Sequence, residues 1–238
     1  MPERVDRHLE RVGGWLLPPR CVLCGSGGQA PCLDLCRHCA ACLGRAAEPA
    51  TPGPAPLRLT CAPYAYAWPL EHLVHALKYR GQLATARVLG TLLADWIAER
   101  GLQHEADVMV PVPLHPARHA ERGFNQSAEI ARQLGRRLRV PVVESAAVRL
   151  RPTPPQVGLH LGERRHNLAG AFDARDVAGL RIAIIDDVTT TGATLQELAH
   201  ALRRAGALAV DAWCVARADR RIRPDAAREP SPAAGRMR

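Results

Sequence analysis

The stretch 182-IAIIDDVTTTGATL-195 constrains the fold more than any other part of the chain. Four apolar residues, Ile182 to Ile185, predict a short strand buried on both faces, and the spacing from Thr194 onward predicts a helix. Only a tight loop joins the two. A loop that enters a helix carries unpaired backbone N–H groups at the positive end of the helix dipole, which suits it to a phosphate. Asp186 and Asp187 fall at the carboxyl end of the strand, where open α/β sheets bind their ligands. Acids beside an anion site make sense when the ligand brings hydroxyls or a metal next to its phosphate, as a ribose 5-phosphate would.

Around that stretch, strands alternate with helices. The pattern predicts strands at 59–66, 107–112, 142–148, 181–186 and 207–216, and helices at 69–79, 82–100, 126–138 and 194–205. Such alternation implies an α/β fold with a mainly parallel sheet covered on both faces. The stretch 150-LRPTPPQVGLHLGERRHN-167 is too rich in Pro, Gly and charge for a regular element. A long irregular segment inside a compact domain is usually a lid or a binding loop. The expected organisation is an amphipathic helix and Cys module over 1–43, a Pro-rich, semi-extended linker over 44–57, the main domain over 58–217 and a disordered basic tail over 218–238.

The Cys module is 21-CVLCGSGGQAPCLDLCRHC-39. Cys21 and Cys24 form one C-x-x-C pair and Cys36 and Cys39 a second, with glycines between that let the chain double back. Two such pairs can surround one structural zinc with four thiolates. Cys32, Cys42 and His38 are nearby alternatives, buried free thiols are the bland one, and an iron–sulfur cluster would need the same residues. Cys61 and Cys214 read as ordinary core thiols. No run of apolar residues reaches the roughly 18–20 of a membrane span, so a cytoplasmic protein with no membrane insertion is expected, where thiols stay reduced.

Composition narrows the function. The net charge of +9 points to polyanionic partners, but the charge is uneven, since residues 217–238 hold seven Arg against three acids. Four Trp, three Tyr and two Phe are few for an extended single-strand stacking surface. Lys78, in 75-HALKYRG-81, is the only lysine among 32 Lys and Arg residues, which suggests that an ammonium point charge is needed there. It is preceded by Leu77 and followed by Tyr79, so the phosphate loop of nucleoside triphosphatases is absent, and so is the G-x-G-x-x-G of dinucleotide folds. In 110-VPVPLHPARHAERGFNQSAEIA-131, Arg118 and Arg122 lie in a glycine-containing turn that enters a helix through Asn125 and Ser127, a second candidate phosphate site or a solvated surface loop.

These motifs together carry a resemblance. IAIIDDVTTTGATL resembles the phosphoribosyl pyrophosphate motif of the type I phosphoribosyltransferases. The order of Cys pairs, L-K-Y-x-G, V-P-V-P-L with E-R-G-F-N-Q, T-x-x-Q, E-R-x-x-N and the diacid strand is similar to the ComF competence-protein family from Cys21 to Val215. The resemblance implies a type I phosphoribosyltransferase-like parallel sheet flanked by helices, with a small N-terminal four-cysteine zinc module at Cys21, Cys24, Cys36 and Cys39. It implies that Asp186 and Asp187 hold the ribose hydroxyls, directly or with Mg²⁺. It places Val188, Thr189, Thr190, Thr191, Gly192, Ala193 and Thr194 around the 5-phosphate, and Lys78, Arg118 and Arg122 among the reacting groups, the two arginines facing the pyrophosphate. Thr153, Gln156, Arg164 and Asn167 become the lid. The implied partners are phosphoribosyl pyrophosphate with Mg²⁺, an unidentified acceptor, single-stranded DNA and competence-machinery proteins. A non-catalytic DNA-handling adaptor and a sugar-phosphate sensor are the competing functions, because one scaffold hosts enzymes and regulators alike.

Overall fold

A computed structural model of the chain describes residues 19–29, 34–151 and 170–218. A short helix α1 (Arg37–Ala41) is followed by strands β1 (Ala50–Pro52), β2 (Leu59–Cys61) and β3 (Tyr64–Ala65) and helices α2 (Leu70–Arg80) and α3 (Leu83–Ala98). Then come β4 (Val108–Pro111), α4 (Pro116–Arg122), α5 (Gln126–Leu138), β5 (Ala147–Arg149) and β6 (Phe172–Ala174). Strand β7 (Arg181–Thr189), helix α6 (Ala193–Arg204) and strand β8 (Ala209–Arg217) complete the order.

The main sheet runs β1-β2-β8-β7-β4, with β3 also on β8, and β5 and β6 form a separate two-stranded sheet. All of the main sheet's pairings are parallel except the antiparallel edge β1 on β2. Strand β7 shows why the apolar run was readable. Successive side chains leave a strand on opposite faces. Ala183 and Ile185 join the core under α2, α3 and α5, while Ile182 and Ile184 join the core under α6. The first core is built from Leu73, Leu77, Leu89, Leu93, Ile130 and Leu134, the second from Leu195, Leu198 and Leu202. Helices α3 and α5 touch at Gly90, where a Cβ would lie 2.6 Å from the Cβ of Gln133.

The structure departs from the sequence expectation in several places. The segment 44–57 is not a spacer: Ala50–Pro52 pairs with Leu59–Cys61, and Leu57 is buried. Proline is tolerated there because only an edge strand can spare a backbone donor. The strand expected over 59–66 divides at Ala62 and Pro63 into β2 and β3. The strand expected over 142–148 is a single bridge from Val142 to Met109, a 3₁₀ turn and the short β5. The turn holding Arg118 and Arg122 is helix α4, capped by His115 and ended by Gly123 with φ 78°. Among the described residues no helix is long and apolar enough to cross a membrane.

Candidate functional site

Strand β7 continues through both acids to Thr189, held in register by Val188 opposite Ala216 and Thr189 opposite Arg217. Val188 and Thr189 therefore belong to the strand, and the loop proper is Thr190 to Gly192. Gly192 sits at φ 73°, a left-handed conformation that a side chain would strain, and starts α6. No acceptor among the described residues takes the backbone N–H of Thr190, Thr191 or Gly192, whereas Ala193 N–H reaches the Thr191 hydroxyl at 3.4 Å. Open donors ahead of a helix N-terminus form an anion cradle.

The two acids have different surroundings. Asp187 is 2% exposed, accepts the Val188 N–H at 2.7 Å through Oδ1, and meets the Lys78 ammonium at 2.6 Å through Oδ2. The only lysine of the chain thus reaches the second acid of the motif from the last turn of α2. Burial works against charge on Lys78, but Asp187 outweighs it and raises the lysine's pKa. Asp186 accepts the Ser127 hydroxyl at 2.8 Å and the Asp187 N–H at 2.9 Å, both through Oδ1. Burial, and then the Asp187 carboxylate, push Asp186 up to about 7 against the pull of Lys78 and Ser127.

A cleft of about 640 Å³ is lined by Lys78, Tyr79, Arg80, Arg118, Glu121, Arg122 and Phe124, and Lys78 joins it to Asp187. Arg118 and Arg122, one helical turn apart on α4, line it together. Arg122 also donates to Gln126 Oε1 at 2.5 Å and lies 5.8 Å from the Tyr79 ring centroid. The cleft therefore gathers Lys78 and both arginines, together with Glu121, around one opening. Thr153, Gln156, Arg164 and Asn167 lie outside the described residues. Arg149, next to that segment at the end of β5, is a cation that sequence reasoning did not single out. Its guanidinium lies 5.5 Å from the Phe172 ring, and burial and then Arg118 lower its pKa while Asp186 raises it.

In the Cys module, the Sγ atoms of Cys21, Cys24, Cys36 and Cys39 all lie within 4.8 Å of one another, the set chosen by spacing. Cys24 Sγ and Cys36 Sγ are 3.7 Å apart. Four thiolates around zinc at about 2.3 Å would be roughly 3.8 Å apart, so the cluster fits a tetrahedral metal. Cys42 is exposed and outside the cluster, and Cys32 lies outside the described residues. The module is not a loose appendage: Cys21, Leu35, Cys36, Cys39 and Leu43 share the core of α2 and α3, and Arg87 holds Asp34 at 2.8 and 3.1 Å. Cys61 and Cys214 are fully buried, and burial pushes Cys61 up to about 12, as expected of inert core thiols.

An α/β sheet with two acids at a strand end, a loop of open N–H donors before a helix and an arginine-lined cleft has the form of a phosphoribosyltransferase-like fold. Residues 120–230 match the phosphoribosyl transferase domain family. The chain is 34% identical over 160 residues to Competence protein F of Haemophilus influenzae, covering 64% of this chain and 70% of that one. It is 42% identical over 157 residues to DNA utilization protein YhgH of Escherichia coli K12, covering 64% and 69% of the two chains. With DNA utilization protein YhgH of Salmonella typhimurium the identity is 36% over 202 residues, 83% of each chain. The chain belongs to the ComF family of the type I phosphoribosyltransferase superfamily.

Proposed function

We propose that the chain binds phosphoribosyl pyrophosphate at the carboxyl edge of its sheet and transfers the ribosyl phosphate to a nucleophilic acceptor. The observation that carries this reading is the loop of Thr190, Thr191 and Gly192, two residues beyond the acids, whose three N–H groups meet no acceptor among the described residues. The loop from Thr190 to Thr194 takes the 5-phosphate. Asp186 and Asp187 take the ribose hydroxyls, and Arg118, Arg122 and Lys78 face the pyrophosphate across the cleft. Departure of pyrophosphate leaves positive charge on the sugar and gathers negative charge on the leaving group, which the cleft's cations stabilise.

Magnesium suits this site only in company with the ligand. The diacid offers two carboxylates, and one is already paired with Lys78. Pyrophosphate oxygens and water would complete the shell around a single carboxylate, and the ion would supply further charge neutralisation there. In the Cys module, zinc would hold Cys21, Cys24, Cys36 and Cys39 as a structural centre. Metal analysis of purified protein tests that, with about one zinc per chain expected and its loss in Cys36→Ser.

The relatives' names, competence and DNA utilization, support a place in DNA uptake, with single-stranded DNA and competence-machinery proteins as partners. They also favour a second reading, a DNA-handling adaptor whose pocket binds without turnover. Incubation with phosphoribosyl pyrophosphate, Mg²⁺ and candidate acceptors separates the two. Acceptor-dependent pyrophosphate release supports the transferase. Tight binding without release, together with salt-sensitive DNA binding that survives Asp187→Ala, supports the adaptor.

A further inference from the structure

The first turn of α5 contains two buried polar side chains, Gln126 at 7% and Ser127 at 1% exposure, and neither is spent on capping its own helix. Asn125 does that work. Its Oδ1 accepts the Ser127 N–H at 3.0 Å, and its Nδ2 donates to the Val112 carbonyl at 3.0 Å, tying the turn to the end of β4. With the cap supplied, the side chains of Gln126 and Ser127 point elsewhere. Gln126 Oε1 accepts from Arg122 at 2.5 Å, and the Ser127 hydroxyl donates to Asp186 at 2.8 Å.

We propose that this turn is a positioning template, in which Ser127 fixes the carboxylate that meets the ribose and Gln126 fixes the arginine that meets the pyrophosphate. The proposal rests on the phosphoribosyl pyrophosphate reading of the site and adds to it the residues that hold its two halves in register. Asp186 Oδ1 receives two donors, Ser127 Oγ–H and Asp187 N–H, which together define the carboxylate plane. Oδ2 has no hydrogen-bond partner among the described residues and is the oxygen left for a ligand. Without the serine hydroxyl, only the Asp187 N–H still holds Oδ1, and the carboxylate plane is no longer fixed by two donors. Without Gln126, Arg122 loses its only hydrogen bond to a side chain among the described residues and keeps only the looser Tyr79 ring contact. Adjacent residues of one rigid turn thus set the spacing between a sugar contact and a leaving-group contact. An error of about 1 Å in such spacing is costly to a reaction that depends on alignment.

Two fragments of the ligand test the division of labour. Ribose 5-phosphate and pyrophosphate, each with Mg²⁺, are titrated into wild type, Ser127→Ala, Ser127→Thr and Gln126→Ala, alongside intact phosphoribosyl pyrophosphate. Loss of one hydrogen bond to a charged group predicts about tenfold weaker binding of ribose 5-phosphate to Ser127→Ala, with pyrophosphate nearly unaffected. Gln126→Ala does the reverse, phosphoribosyl pyrophosphate suffers in both, and Ser127→Thr, which keeps the hydroxyl, restores affinity. Equal weakening of both fragments by either variant means general loosening and overturns the proposal, as does no weakening at all. If wild type binds none of the three ligands, the functional reading fails on its own account. The Ser127 contact is then judged in the free protein. Ser127→Ala lowers Tm in the wild-type background and not beside Asp186→Ala, which removes the acceptor, if the template holds, and lowers it equally in both if it does not.

Discussion

The two ends of strand β7 treat charge in opposite ways. At the amino end, Arg181 donates to both oxygens of Asp107, at 2.7 and 3.3 Å. Nearby, Arg58 grips Asp211 at 2.6 and 3.0 Å and reaches Glu105 at 3.0 Å. Each of these three acids has an arginine, and the arginines sit partly in water. At the carboxyl end, Lys78 pairs with Asp187, the adjacent Asp186 is pushed up to about 7, and three backbone N–H groups meet no acceptor among the described residues. The amino edge is finished by the chain itself. The carboxyl edge, on the proposed function, is finished by a ligand, and unsatisfied charge of this kind is characteristic of functional sites rather than stabilising ones.

That contrast predicts opposite signs for removing acids at the two ends. The largest stability effect belongs to Asp211→Ala. It takes away a 3% exposed carboxylate with two hydrogen bonds, and should cost roughly 1–3 kcal/mol, since Arg58 can turn to water. Ligand binding should not change. Thermal unfolding with parallel calorimetry checks both halves of that statement.

Asp186→Asn should go the other way. The folded pKa of Asp186 is raised, so the folded chain holds this proton more tightly than the unfolded one, and stability falls as pH rises from about 4 to about 7, the loss being complete above that. The variant is expected to be more stable than wild type at about pH 8, by on the order of 1–2 kcal/mol, while losing ligand affinity. The gain fades as pH falls toward about 4, where the wild-type carboxyl is protonated in both states. Tm against pH for the two proteins reads this directly. A wild type more stable than Asp186→Asn at that alkaline pH would remove the contrast between the edges.

The smallest effect is expected at Asp107. Arg181 side-chain and backbone donors hold its pKa below the usual carboxylate value, so its contribution is present above that value and is lost as pH falls through the folded pKa. The pair is over a third exposed on both sides, so Asp107→Asn should shift Tm less than Asp211→Ala, and only above about pH 4.

How much of this was legible in the sequence depends on how local the signal was. Strand β7 and helix α6 were readable because a four-residue apolar run and a glycine announce them. Helix α4 was not, because PARHAER has no apolar face to impose a period, and β1 was not, because prolines look like a linker until an edge strand pairs with them. Lys78 stood out by composition, but no local rule connects the last turn of α2 to Asp187 across the sheet. Ser127 in a first helical turn reads as a capping residue, and only the fold reveals that Asn125 caps while Ser127 reaches Asp186. Arg149 gave no signal, since a strand-end arginine is ordinary until Asp186 and Arg118 are placed near it.

The most direct test of the carboxyl edge as the ligand site is calorimetric titration of metal-analysed protein with phosphoribosyl pyrophosphate and Mg²⁺, using wild type, Asp187→Ala and Asp211→Ala. The account predicts micromolar binding to wild type and Asp211→Ala and none to Asp187→Ala. Absence of binding to zinc-replete wild type, or binding undiminished by Asp187→Ala, would contradict it.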